Sequence, residues 1–372
     1  MINIMRKYFI TAILFIQFAA AQNLPENFYK RFEGSIGGKY DITVHLIRSD
    51  SALSGNYYYN KFGKSIDFIR SSIDSLGNIH LEEDAGYDES YNPLSSGIFT
   101  GKFISESKIE GTWQKTGSKE NLMFYLVEKY PAGSTRIDVN NYSMKYDEFG
   151  SASISISEII INYDDETVNE KINNFLSSSL LSYYTSDEDE SAYSSVNALM
   201  ENFIEGYKFD IVRDSANYDE YVPQYEYGST TKIFYNSDYL LALIKTDYSY
   251  LGGAHPNTFI DYLNFDLATG EIIKLNDILK PGYEGKLNKI GEEKFKELYQ
   301  LSDSLTYEEQ GFWIENEEFQ LNNNFLLSKS GISFLFNSYE IAPYAFGAPE
   351  VYISFDDIKD LIKDDSLIGM MK

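Results

Sequence analysis

The chain has 372 residues, 43% of them hydrophobic, and carries 31 Lys and Arg against 57 Asp and Glu, a formal net charge of −26 at pH 7. Such a field repels nucleic acid and anionic lipid and attracts cationic partners, so nucleic acid is excluded as a ligand. The sequence has no Cys and only three His, at 45, 80 and 255, so neither a disulfide framework nor the usual His/Cys sites for zinc or iron can form, and no metal or cofactor is expected.

At the N-terminus, Arg6 and Lys7 precede an apolar run from Phe9 to Phe18, and Ala19-Ala20-Ala21 supplies small residues before Gln22. This is the pattern of a secretory signal peptide over residues 1–21. The run is too short to span a bilayer, which takes about 20 apolar residues, and no later segment reaches that length. Without Cys the lipid-anchored export route is closed. The expectation is an exported protein, periplasmic or extracellular, soluble once the leader is removed and without stable membrane insertion. Its remaining length is enough for two or three domains.

Residues 22–130 are expected to form an all-β antiparallel meander, curled into a barrel-like domain. Tyr40, Ile42, Val44 and Leu46 alternate onto one face, which leaves His45 on the polar face as a surface residue. An apolar-x-Gly-x-apolar pattern recurs at Phe32-x-Gly34-x-Ile36, Leu53-x-Gly55-x-Tyr57, Phe99-x-Gly101-x-Phe103 and Ile109-x-Gly111-x-Trp113. A Gly between two inward side chains weakens a strand unless it admits a bend or a neighbouring backbone, so the repeat points to strong curvature. In Tyr57-Tyr58-Tyr59 the faces alternate, and one ring should meet solvent.

Residues 131–144, with Pro131-Ala-Gly-Ser134, are expected to be a linker, and residues 145–372 an α+β domain with a mostly antiparallel sheet. Ser153–Ile160 has the pattern of a strand. Val168, Ile172, Phe175, Leu176 and Leu180 fall at helical spacing, as do Val196, Leu199, Met200, Phe203 and Tyr207. Between them lies the acidic stretch Ser186–Ser191. Three strands follow across Gln224–Leu267, with hairpin turns near Asn236 and at Gly252-Gly253. A helix over Glu284–Gln300 should bury Leu287, Ile290, Phe295 and Leu298. Strands near Phe319–Leu327, Ile332–Phe336 and Val351–Phe355 precede a last helix capped by Asp356 or Asp357.

Four pieces of this second block carry a resemblance: ALMENFIEGYKFD, YLGGAHPN, NFDLATGEIIKLNDIL and the closing YEIAPYAFG. In this order, over about residues 153–363, the chain resembles the extracytoplasmic family shared by the lysozyme-sensing anti-sigma factor and the accessory domain of the PdaC-type peptidoglycan deacetylase. The resemblance implies an α+β binding domain whose best understood member binds a c-type lysozyme. The deacetylase chemistry belongs to a separate domain with a metal held by an Asp and two His, and Asp164-Asp165 has no H-x-x-x-H to accompany it. The transmembrane and sigma-binding segments of the sensor have no counterpart here.

Candidate binding residues gather in two loops. Gly252, Gly253 and His255 precede Pro256, where the loop either closes a hairpin or touches a ligand. In the turn Tyr339–Gly347, Pro343 presets the backbone, Gly347 permits a positive φ, and Tyr339, Glu340 and Tyr344 either face a partner or pack into the sheet. No catalytic residue is assigned, since no G-x-S-x-G elbow is present and abundant carboxylates are not a signal for glycoside hydrolysis. The leading expectation is a non-enzymatic exported protein that binds a lysozyme or another cationic protein, or the cell-wall glycan. The alternatives are a hydrolase acting on envelope polysaccharide, or a small-ligand-binding or structural protein of the envelope.

Overall fold

The repeated glycines set the shape of the first unit. The computed structural model describes residues 24–49, 52–88, 90, 92–181, 193–214 and 222–371, so the leader and the acidic stretch Ser186–Ser191 lie outside the described residues. Eight strands, β1 (Asn27–Ile36), β2 (Tyr40–Ser49), β3 (Ala52–Tyr59), β4 (Ser65–Ile73), β5 (Asn78–Tyr87), β6 (Pro93–Ser105), β7 (Lys108–Lys115) and β8 (Asn121–Glu128), pair antiparallel in chain order. Strand β8 returns to β1, with Ile36 opposite Phe124, and closes a barrel. Gly101 of β6 stands opposite Gly111 of β7, and a Cβ on either would run into a neighbouring carbonyl and the ring of Phe124. The interior is filled by side chains, among them Phe32, Tyr57, Phe99, Phe103 and Phe124. One carboxylate, Glu83, is buried there and accepts from Tyr57 Oη at 2.6 Å, Trp113 Nε1 at 2.5 Å and Ser96 Oγ at 2.7 Å.

The second unit is built on a five-stranded sheet. Its members are β9 (Arg136–Tyr146), β10 (Ser151–Asn162), β11 (Gln224–Ser237), β12 (Leu240–Leu251) and β13 (Asn257–Asp266), in the order β13-β12-β11-β10-β9. The β10–β11 pair is parallel, with α1 (Glu166–Leu181) and α2 (Val196–Asp214) between them in sequence, and the other pairs are antiparallel. Alternation on β12 buries both faces: Leu241 and Leu243 join the core under α1, while Leu240 and Ala242 join a core on the other side. That second core is completed by α3 (Leu275–Ile278), α4 (Glu284–Tyr299), the three-stranded sheet of β14 (Phe325–Leu327), β15 (Gly331–Leu335) and β16 (Glu350–Ser354), and α5 (Leu367–Met370). The whole is α+β: an antiparallel barrel followed by a mostly antiparallel mixed sheet.

Several expectations are corrected. The linker placed at 131–144 is a strand from Arg136 onward, because Ile137 and Val139 are core residues that pair β9 with β10. Leu298 is exposed although it shares a face with Leu287, since it lies in the last turn of α4, one residue before the helix ends. Asp356 and Asp357 lie in turns, and the last helix is instead α5, where Ser366 Oγ accepts from Gly369 N at 3.1 Å. Of the three consecutive tyrosines, Tyr59 is the ring that partly meets solvent, Tyr57 fills the barrel, and Tyr58 stacks on Tyr235 of β11 at 5.4 Å.

That last contact belongs to a buried junction between the units. Arg31 of β1 is 2% exposed; its Nε donates to Asn236 O at 2.9 Å and its Nη2 to Ser237 Oγ at 2.7 Å, both at the end of β11. Asn236 in turn donates to Tyr29 Oη at 3.0 Å and to Thr135 O at 2.8 Å. His45, expected on the surface, is fully buried here with Nδ1 2.9 Å from Tyr29 Oη. The inward face of β2 fills the barrel and the second unit covers the middle of its outward face, so Thr43, His45 and Ile47 are buried on that side too. Burial, with Arg31 and Lys232 nearby, holds the His45 imidazole well below its ordinary value, and its Nε2 has no hydrogen-bond partner.

Candidate functional site

Two loops that are distant in sequence meet at one end of the second unit. The β12–β13 hairpin turns at Gly252, whose φ of 75° suits glycine and whose bare Cα lets Pro223 pack close. Gly253 faces open space. The turn projects His255 into solvent, where Nδ1 lies 2.7 Å from Pro256 O and Nε2 lies 2.8 Å from Tyr339 Oη. A carbonyl can only accept, so Nδ1 carries the proton in the neutral ring and Nε2 accepts from the tyrosine.

The other loop joins β15 to β16. Tyr339 adopts φ 72°, a left-handed conformation costly for a side chain of this size, and its N–H donates to Ala342 O at 3.1 Å. Pro343, at φ −59°, starts a short 3₁₀ turn over Tyr344–Phe346, which Gly347 ends at φ 72°. Tyr344 is thereby laid on His255, with ring centroids 4.1 Å apart and planes inclined by 22°. Trp313 lies on the far side of Tyr339, nearly parallel to it at 13° and 6.4 Å. Tyr339 lies 6.0 Å from both His255 and Tyr344, so the four rings form one cluster at the surface, the ring row, in which Trp313 and Tyr339 are each 49% exposed, His255 is exposed and Tyr344 is half-buried.

Beside this row runs a shallow trough of about 540 Å³. Its amide wall also holds the fold together. Asn337 Oδ1 accepts from Ile260 N at 2.8 Å, Asn324 Oδ1 accepts from Tyr262 N at 2.8 Å, and both side chains donate back to Ile260 O. These amides stand where a sixth strand would, and so cover the edge of β13. Asp261 lines the trough, and its burial, reinforced by Asp247 and opposed by Lys245, raises its carboxyl above the ordinary value.

Of the seven residues singled out in the sequence, three supply surface and four supply shape. His255, Tyr339 and Tyr344 come together as rings. Gly252, Gly253 and Gly347 form the turns, and Glu340 braces its own loop by accepting from Asn337 N at 2.9 Å and Asn322 Nδ2 at 2.8 Å. Trp313 and the asparagines were not singled out. The run Asn322-Asn-Asn324 before a strand was the available signal for the amides, whereas Trp313 sits in a loop without any periodic pattern. Among the described residues no group of three or more His, Asp and Glu could hold a metal ion. The row offers flat faces and hydrogen-bonding groups, which is chemistry for binding.

Comparison with known proteins agrees with the resemblance. Residues 147–258 match the family described as Deacetylase PdaC, and residues 276–356 match a Protein of unknown function family, DUF3298. The ring row straddles the two, with His255 from the first and Trp313, Tyr339 and Tyr344 from the second. The peptidoglycan-N-acetylmuramic acid deacetylase PdaC of Bacillus subtilis is 24% identical over 135 residues, which is 36% of this chain and 28% of that protein's length. Among solved structures, a DUF3298 family member from Bacteroides fragilis superposes with a TM-score of 0.56 at 21% identity, covering 65% of this chain and 99% of its own. A DUF3298 family protein from Pseudomonas aeruginosa gives 0.46 at 16% identity, over 62% of this chain and 94% of its own. The first of these establishes a shared fold.

Proposed function

We propose that the chain is an extracytoplasmic binding protein whose ring row docks a cationic cell-wall-active protein, of the lysozyme kind, without transforming it. The observation that carries this reading is the surface cluster of Trp313, Tyr339, His255 and Tyr344, held in place by the strained Tyr339 backbone and by a hydrogen bond between its members. Trp and Tyr are the residues that most often anchor protein interfaces, and a preordered row loses little entropy on binding. The formal charge of −26 complements a basic partner and speeds encounter. Kinship with a peptidoglycan deacetylase and the expected leader both favour the cell envelope as the compartment.

A second reading, the wall glycan, is supported by the amide-lined trough beside the rings. Sugar rings pack their CH faces on aromatic groups and bond to amides and carboxylates. A pull-down with the exported chain separates the two readings: a purified c-type lysozyme in one arm, insoluble peptidoglycan in the other, each at low and high salt. Salt-sensitive capture of lysozyme supports the first reading, capture by peptidoglycan alone supports the second, and capture of neither contradicts both.

A further inference from the structure

A second cleft lies where the barrel meets the three-stranded sheet. The turn between β3 and β4 abuts the turn between β14 and β15, and Gly63, at φ 68°, lies so close to Lys329 that an added Cβ would come within 2.7 Å of that side chain's Cβ. Between the strands leaving these turns is a cavity of about 290 Å³, with Ser65 and Asp67 on the barrel wall and Ser330, Ser333 and Tyr352 on the opposite wall. Phe234 and Leu326 supply its apolar surface. It shares Lys64, Ser65 and Asp67 with a wider depression of about 610 Å³ at the barrel rim, to which Tyr59 and Phe62 contribute rings. Together these volumes fall in the range of small-molecule sites, about 300–1,000 Å³, and they lie at a domain junction, where such sites concentrate.

The polar groups of this cleft are set in fixed roles. Asn56, fully buried, donates to Ser65 Oγ at 2.9 Å and to Phe234 O at 3.0 Å, which leaves the Ser65 proton free to be donated into the cleft. The amide oxygen of Asn56 has no partner, so this side chain is held for what its NH₂ does. Tyr352 Oη donates to Ser330 Oγ at 2.9 Å, and Ser330 Oγ lies 3.4 Å from Ser328 Oγ, so these hydroxyls form a chain along the wall. The side chains of Ser333 and Lys64 have no hydrogen-bonding or ionic partner among the described residues. The acceptors are carboxylates: Asp67, which pairs with Lys232 at 2.6 Å, and Glu350 on the rim. Orientated hydroxyl donors, carboxylate acceptors and an exposed Tyr352 face are what a saccharide needs, since each sugar hydroxyl both donates and accepts. Two carboxylates in the walls disfavour a phosphorylated ligand.

We propose that this junction cleft is a saccharide-binding site, complete only when barrel and second unit are docked. It is independent of the ring row and of its partner. The test is calorimetric titration of the intact exported chain with the N-acetylglucosamine tetramer, and separately with a glucose tetramer, to separate recognition of the acetamido group from recognition of the sugar ring. Saturable binding of either probe is expected, weakened at least about tenfold by Tyr352→Ala, which removes the ring, and by Ser333→Phe, which fills the cavity. Met123→Ala, at an exposed barrel position that lines neither the cleft nor the trough, should leave this binding unchanged. Ser330→Ala and Tyr352→Phe remove only hydroxyls, and should each weaken binding even if the bulkier substitution fails to fold. The proposal is overturned if neither probe binds the folded chain, if the cleft variants bind as the parent does, or if Trp313→Ala abolishes binding while the cleft variants do not. Loss of lysozyme capture with saccharide binding intact would count against the ring-row reading alone.

Discussion

The imidazole of His255 lies face to face with the ring of Tyr344, 4.1 Å between centroids, while its Nε2 accepts the hydroxyl proton of Tyr339. One side chain thus ties the β12–β13 hairpin to the loop between β15 and β16. Stacked ring pairs contribute about 0.5–1.5 kcal/mol beyond their area. A double-mutant cycle of His255→Ala and Tyr344→Ala, read by chemical denaturation, should return a coupling in that range. Additive effects would mean that the two loops are held independently.

His45 makes the junction pH-sensitive in a stated direction. Its folded value is depressed by burial and by Arg31 and Lys232, so the unfolded chain takes up a proton that the folded chain refuses. The contribution is therefore complete above about pH 6.5 and is lost as pH falls below it, at up to about 1.4 kcal/mol per pH unit until the folded value is reached. Denaturation midpoints between about pH 7.5 and 5.5 should fall more steeply for the parent than for His45→Phe, which lacks the titrating group. Parallel curves would contradict the assignment.

Arg31 is the anchor of the same junction. Arg31→Ala leaves Asn236 O, Ser237 Oγ and Lys129 O without their donor, and an unsatisfied buried group costs about 1–3 kcal/mol. We expect the variant to be at least about 2 kcal/mol less stable, with the barrel and the second unit unfolding less cooperatively in calorimetry.

One substitution should have opposite signs at two glycines. Gly101→Ala forces a methyl group against the Glu110 carbonyl and the Phe124 ring, overpacking that costs about 1–3 kcal/mol. Gly285→Ala, in the exposed first turn of α4 with nothing near it, should stabilise by about 0.4–1 kcal/mol. Thermal melts of the two variants check both.

How much of this was legible beforehand follows from which signals are local. Period-two alternation with Gly on the apolar face revealed the barrel, because the crowding that excludes a Cβ at Gly101 and Gly111 lies between chain neighbours in the sheet. Helical spacing likewise located α1, α2 and α4. The β9 strand was missed because Arg136–Tyr146 alternates weakly and follows a Pro-Ala-Gly turn that resembles a linker. His45 was misplaced for a different reason: alternation reports which residues share a face, not what covers that face. The loops of the ring row were legible from their Pro, Gly and Tyr content. Their meeting was not, since it depends on the long-range packing that carries Tyr339 to His255.

Dissociation of the intact chain from an immobilised c-type lysozyme tests the central claim most directly. For Tyr344→Ala and Trp313→Ala the dissociation rate should rise by the equivalent of about 1–3 kcal/mol. The melting temperature should stay near the parent's for Trp313→Ala, whose ring is 49% exposed, and fall for Tyr344→Ala, which loses its stacking on His255. Association should slow with added salt in parent and variants alike, as the long-range field is screened. Parent-like dissociation from both folded variants, or no binding by the folded parent, would contradict the claim that the ring row is the docking surface.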